Sequence, residues 1–439
     1  MHGRFIRGRG KLSGRQRYKV PCRKVKKRQV KGAAAMQECT DKKPCVCMIL
    51  PRKLFPLLSG YSLKNYYLIR LLAKEYRLHL IVISGEELSE EEKDFYQTYT
   101  EKHQVYQMRK SERIVGAVSA IFSGLPIQVG LYYSRTLQRM LQQEVPQADI
   151  LISELVRTMP YVNAFRDDTV KVFDMVDSIG LNYLRSLEGT RSPIWKLYYR
   201  MESKRLLRYE ERCVKYSDVS FLFNQEEQKY WAKAGNVQWL PHGVKEELLN
   251  YPETGTETEQ PYIAFIGKMN YQPNVDAVLW YAEHIYNKLE EKIGFTIVGA
   301  YPTAEVQKLQ EKYENITVTG FVEDPYEILS GAVAVVAPMQ TGGGIQNKVL
   351  EAMAIGKVNL LSRRAAQPIA GAEDGVHYLV CDTLEEYEEK LGELLQHPEK
   401  KQKIEANARA FIQDNFTWEK YGEKYISCLK ALLAEKKAN

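Results

Sequence analysis

The chain has 439 residues, more than one ordinary hydrophobic core accommodates, so two domains are expected. With 44% hydrophobic and 27% charged residues it has the profile of a soluble globular protein, not a fibrous or disordered one. The net charge of +7 belongs to one end: residues 1–35 hold thirteen Lys/Arg and no acid, and without them the remainder carries −6.

Residues 1–42 therefore read as a basic leader, either a disordered tail able to touch nucleic acid or anionic lipid, or the product of a start assigned too early, with Met36 and Met48 as later starts. The seven cysteines are odd in number and mostly scattered, and no secretory signal is visible, so a reducing cytosol is expected. Cys39, Cys45 and Cys47 lack a second Cys/His cluster at metal-site spacing. Cys45 and Cys47 read instead as alternate positions of a first strand. From CVCMIL (45–50) onward, apolar strands alternate with amphipathic helices: SLKNYYLIRLLAKEY, LHLIVIS, a charged helical stretch, DILIS (149–153), VKVFDMVD (170–177), DVSFLFN (218–224) and VQWLPHGV. Val115–Ser134 is free of charge for about the length of a membrane span, but three glycines and Pro126 interrupt it, so it reads as a loop-and-helix surface that packs or receives a greasy acceptor. The polar run 246–260 reads as a linker. After it the alternation restarts with YIAFIG (262–267), GFTIVGA (294–300), ITVTGF (316–321), AVAVVAP (332–338) and VNLLS (358–362). Two doubly wound α/β domains are predicted, at 43–245 and 261–415, with a helix over 416–439 packing back on the first. The carboxyl ends of their sheets share one crevice, where ligands of open α/β sheets bind.

The stretch TGGGIQNKVLEAMAIG (341–356) follows the strand AVAVVAP and opens a helix, expected near Ile345. Gly342, Gly343 and Gly344 let backbone amides approach a ligand, and the helix start favours an anion. Lys348 lies one turn in. Glu351, three residues on and on the same face, would repel phosphate but can accept two hydrogen bonds from a vicinal diol such as a ribose. Together they describe a nucleoside diphosphate. Glycine loops also make plain turns, and a Lys–Glu pair at this spacing also decorates surfaces; there is neither a Walker pattern nor GxGxxG.

GIQNKVLEAMAIGK resembles the donor-site segment of GT-B glycosyltransferases of family 4, in particular bacterial sugar transferases of exosortase-linked exopolysaccharide clusters. FIGKMNYQPNVDAVLWYAEHI (265–285), VFDMVDSIGLNY and YYRMESKRLLRYEE agree in order, and the resemblance covers roughly 43–430. It implies a GT-B fold of two Rossmann-like domains facing a central cleft. It also implies a retaining transfer with no metal or cofactor, from a nucleotide sugar to a glycan or lipid-linked saccharide in cell-surface polysaccharide synthesis. Glu351 would hold the ribose, and Lys348 and Lys268 would neutralise the diphosphate. Gly60 would face the donor phosphates from the first domain, with Gly267, Gly342, Gly343, Gly344, Ile345, Gln346 and Asn347 also at the donor.

The chain departs from the family pattern at Gly343, where a first Glu is usual, at Pro273, near a usual second phosphate-binding Lys, and at His242 of PHGV, where Asn is usual. No DxD motif appears, and Asp167-Asp168 reads as solvated. Glu154, Arg157 and Asp177 follow strands of the first domain and are acceptor-side candidates, with capping or surface pairing as the alternative. The expected partners are a nucleotide sugar and the acceptor, with peripheral contact at the inner face of the cell membrane and no nucleic acid. The alternatives are a sugar-nucleotide epimerase of the same fold, or a non-catalytic protein whose basic arm grips nucleic acid or membrane.

Overall fold

The computed structural model describes residues 43–438, except 58, 145–147, 191, 253–259, 291–292 and 342–343. The leader and residues 253–259 of the expected linker lie outside the described residues. Seven strands form the first sheet: β1 (Cys45–Leu50), β2 (Arg77–Ser84), β3 (Lys102–Gln107), β4 (Ile150–Glu154), β5 (Val170–Val176), β6 (Val219–Leu222) and β7 (Val237–Trp239). Six form the second: β8 (Tyr262–Ile266), β9 (Gly294–Val298), β10 (Ile316–Gly320), β11 (Ala334–Ala337), β12 (Asn359–Leu361) and β13 (Leu379–Val380). All pairings are parallel. The helices that shape the cleft and its flank are α1 (Gly60–Glu75), α2 (Lys110–Ser123), α3 (Ile127–Gly130), α4 (Pro193–Tyr216), α5 (Asn347–Ala354) and α6 (Trp418–Ala438).

The strands are short apolar runs because helices cover both faces of each sheet; every residue of β1, β4 and β5 is buried. Cys45 and Cys47 lie on one face of β1, both buried. The strand orders are β3-β2-β1-β4-β5-β6-β7 and β10-β9-β8-β11-β12-β13. Each order reverses once, between β1 and β4 and between β8 and β11. Those switch points open a crevice at the carboxyl ends of the strands. The loops leaving β1, β8 and β11 lead to Gly60, Lys268 and Gly344, and Glu154 is the last residue of β4.

The sequence reading missed β3 and β13. β3, KHQVYQ, is a half-exposed edge strand with little apolar content, and β13 has two residues. Val115–Ser134 forms the end of α2 and all of α3, and among the described residues no helix is long and apolar enough to cross a membrane. Glu246–Leu249 makes one helical turn whose Leu248 packs into the second core.

The chain crosses between the cores twice at one place. Leu240 belongs to the first core and Val244 to the second; Phe416 belongs to the second and Trp418 to the first. The two passes lie side by side, with the Val244 amide donating to the Phe416 carbonyl at 2.8 Å. Beyond the return pass, α6 lays Trp418, Tyr421, Tyr425 and Leu429 into the first core, and Trp418 stacks on Tyr67 of α1 at 4.9 Å.

Candidate functional site

The second sheet supplies one wall. After β11 the chain reaches Gly344, whose φ of +80° lies in the left-handed region. A Cβ there would stand 3.0 Å from Asn224 Nδ2 of the first domain, so Gly344 already abuts the opposite wall. Gly342 and Gly343 lie outside the described residues. Ile345 packs on the second core. Gln346 is the N-cap of α5 but makes no side-chain bond to the first turn, so the helix begins two residues later than its sequence suggested and without a side-chain cap on its amides.

Lys348 does not reach outward. Its Nζ bonds Asn274 Oδ1 at 2.5 Å, lies 3.5 Å from Met339 Sδ and sits 4.3 Å from the centre of the Phe265 ring. It makes no ion pair among the described residues. Desolvation without a counter-charge lowers its pKa to about 7. Asn274 also donates to the Lys268 carbonyl at 3.1 Å, and so ties the β8 turn, with Gly267, to the amine of Lys348. Asn274 was missed by the sequence reading; its signal is an Asn in the first turn of the helix that follows β8, directly after Pro273. Lys268 itself is exposed, its Nζ 5.5 Å from the Tyr301 ring.

Glu351 lies one turn beyond Lys348 and faces the first domain. With Gly60, His242, Lys245, Asn347 and Trp418 it lines a space of about 20 Å³. Burial raises its pKa, while Lys245 and a hydrogen bond from Tyr326 act the other way. The Tyr326 phenol is in turn pushed up, first by burial and then by the Glu351 charge. Gly60 opens α1 across this gap, and a Cβ on it would lie 3.7 Å from Asn347 Nδ2. Burial pulls the His242 pKa down, keeping a neutral imidazole that bonds the Gly243 carbonyl and Asn347. Glu351, Asn347 and Gly60 thus line one space, while Lys348, one turn away, is tied through Asn274 to the backbone carbonyl of Lys268.

The acceptor-side candidates each have partners of their own. Glu154 is fully buried: its Oε1 receives Lys64 Nζ at 2.5 Å, the same amine bonds Asp174 Oδ2 at 2.5 Å, and Asn65 donates to its Oε2 at 3.3 Å. Burial and then the charge of Asp174 push its carboxyl up. It therefore cannot face an acceptor, and the expectation is corrected: a carboxylate at the end of β4 is consumed by a lysine ninety residues earlier in the chain. Asp177 keeps accessible surface but lies among crowded protein atoms, and this desolvation with the charge of Glu227 raises its pKa to about 6. Arg157 bonds Gln128 at 2.9 Å and lies over Tyr132, 5.2 Å from the ring centre.

Arg113 also lies over Tyr132, 5.5 Å from the ring centre, and this ring borders a groove of about 840 Å³ at the carboxyl ends of β1, β2 and β3. Arg52, Lys53, Arg109, Lys110 and Arg113 line it; its acid, Glu86, is taken by Lys53 at 2.6 Å. The sequence reading missed these cations, which are spread over two loops and a helix start. Among the described residues, three non-glycine residues have positive φ, and all of them, Leu155, Val176 and Tyr301, stand at carboxyl ends of strands, where backbone strain tends to gather at functional sites.

Residues 260–397 match the family model described as Glycosyl transferases group 1. A glycogen synthase of Thermodesulfovibrio yellowstonii is 24% identical over 229 residues, 49% of this chain and 44% of that protein. An uncharacterized glycosyltransferase of Methanocaldococcus jannaschii is 26% identical over 182 residues, 39% of this chain and 45% of that protein. The chain thus spans less than half the length of these curated relatives. Among solved structures, HepE of Anabaena in complex with UDP superposes with a TM-score of 0.58 at 11% identity, covering 88% of this chain and 100% of that one. Sucrose-phosphate synthase of Thermosynechococcus elongatus does so with a TM-score of 0.60 at 12% identity, covering 90% and 100%. The two parallel sheets around one cleft are the GT-B fold, and residues 260–397 in the second half are similar to the glycosyl transferases group 1 model.

Proposed function

We propose that the chain transfers a sugar, with retention of anomeric configuration, from a nucleoside-diphosphate sugar to a glycan or lipid-linked saccharide of a cell-surface polymer. The observation that carries this is Lys348: a cation at the start of α5, desolvated and without a counter-ion, one turn from a carboxylate that faces the opposite domain. A diphosphate answers the first and a ribose diol the second. The UDP in the HepE structure favours a nucleotide ligand for this fold without fixing the base.

The chemistry then distributes as follows. Lys348, Lys268 and the amides from Gly344 to Asn347 meet the diphosphate, whose charge grows as the bond from the anomeric carbon to the phosphate oxygen breaks; these groups supply the positive charge this reading requires. The acceptor hydroxyl oxygen forms the new bond on the same face, and its proton passes to the departing phosphate oxygen. The arriving anion raises the pKa of Lys348, so donor binding takes up a proton. Arg52, Arg109, Lys110 and Arg113 suit an acceptor that is itself negatively charged. The 20 Å³ beside Glu351 is far below the roughly 300–1,000 Å³ of ligand sites, so the side chains lining it must shift to admit a donor.

Thermal unfolding with UDP, GDP, ADP and their sugars tests this, because a ligand of the native state stabilises it by mass action. One nucleotide should raise the melting temperature, and the shift should vanish in Lys348→Ala. If no nucleotide shifts the wild type, or the shift survives Lys348→Ala, the site assignment is wrong.

A further inference from the structure

Helix α2 turns apolar residues to the outside. Val115, Val118, Ile121 and Phe122 are exposed, Phe122 to 87%, and they recur at helical spacing along one face. The opposite face packs on α3: a Cβ on Gly116 would lie 2.1 Å from the Gly130 carbonyl oxygen, so the two backbones touch. The first amides of α3, Ile127 and Gln128, donate to the buried Glu202 of α4. The far end of α2 is thereby fixed beside the first half of α4.

There α4 exposes a second apolar stripe, Ile194, Leu197 and Met201, with Trp195 at its tip. Next to it runs a row of exposed cations at every fourth residue, Lys196, Arg200, Lys204, Arg208 and Arg212, about 24 Å long at the helical rise. None of the five makes an ion pair among the described residues. The exposed acid of this helix, Glu211, is held by Lys215 at 2.6 Å. Like charges at this spacing destabilise a helix, so the fold itself does not account for the row.

We propose that this face, α2 with the first half of α4, docks on an anionic lipid bilayer. The apolar stripes and Trp195 enter the boundary between headgroups and acyl chains, and the lysines and arginines extend to lipid phosphates. A second copy of the chain fits less well, because a two-fold contact would oppose the two cation rows. Nucleic acid would answer the cations but leave Val115, Val118 and Phe122 in water. Lys110 and Arg113 of α2 line the basic groove, so docking sets that groove at the lipid surface. The proposal does not depend on sugar transfer.

The full chain should sediment with vesicles of phosphatidylglycerol and phosphatidylcholine, and far less with phosphatidylcholine alone. Replacing Lys196, Arg200 and Lys204 by Ala should weaken this binding about a hundredfold. The paired change Phe122→Ser and Trp195→Ser should weaken it at least tenfold, with unaltered melting temperatures as the check on folding. Brominated lipid should quench Trp195, and the quenching should disappear in Trp195→Phe, since the other four tryptophans are buried or half-buried. Vesicle binding unchanged in both variants, or Trp fluorescence insensitive to brominated lipid, overturns the proposal. So does a cation variant that loses binding to single-stranded DNA while keeping its binding to vesicles. Nucleotide-induced thermal shifts measured on the same variants keep this outcome separate from that of the donor site.

Discussion

Two lysines, one under each sheet's switch point, are treated in opposite ways. Lys64 of α1 is fully buried and meets two carboxylates, Glu154 and Asp174, at 2.5 Å each. Lys348 of α5 meets an amide oxygen, a thioether and an aromatic ring, and no carboxylate among the described residues. The first is a closed structural unit whose charges cancel locally, apart from one excess carboxylate. The second lacks its anion. Burial of a cation is therefore not in itself a sign of function; burial without a counter-charge, at a crevice, is the informative case.

The sharpest way to break this contrast is Lys64→Met, which leaves two buried carboxylates unpaired and should lower the unfolding free energy by about 3–5 kcal/mol in urea titration. Lys348→Met should do the reverse: stability without ligand is unchanged or higher, while nucleotide-sugar turnover falls by about 10²–10³. If the two variants unfold alike, the lysines are alike and the argument fails. Glu351→Gln should weaken nucleotide affinity by about 1.5–3 kcal/mol, read by calorimetry, because a charged acceptor of the ribose is replaced by a neutral one.

The pH dependence sharpens the contrast further. The folded pKa of Lys348, about 7, lies below its ordinary 10.5, so the unfolded chain holds more protons between those values. Its burden on stability is full below pH 7 and relieved as pH rises towards 10.5, with a slope of at most about 1.4 kcal/mol per pH unit. Urea midpoints between pH 7 and 9 should show that rise relative to Lys348→Met, and nucleotide affinity should fall over the same range. The smallest effect is expected for Tyr326→Phe, which frees Glu351 of one hydrogen bond and should cost about 1 kcal/mol in nucleotide binding.

Most of the fold was legible because parallel strands buried on both faces are continuous apolar runs, and CVCMIL, DILIS and AVAVVAP are unmistakable in that respect. What failed was local too: KHQVYQ is an edge strand, held by its neighbour β2 rather than by its own composition. At the site, the order strand, glycines, helix, Lys and Glu could be read directly, because it depends on residues close in sequence. Glu154 could not be, since its partner Lys64 lies far off in the chain, and a carboxylate at a strand end looks the same paired or free. Asn274 escaped for the same reason: its effect on Lys348 exists only once β8 and β11 lie side by side.

The paired crossings at Val244 and Phe416 have a mechanical consequence. A single tether between two bodies leaves them free to swivel in every direction, whereas two tethers joined by a hydrogen bond define an axis and permit rotation chiefly about it. His242, Gly243 and Val244 also border the space beside Glu351, so that carboxylate sits almost on the axis. Points next to a pivot barely travel. Rotation about that axis displaces the far rims of the two sheets most and the groups beside Glu351 least.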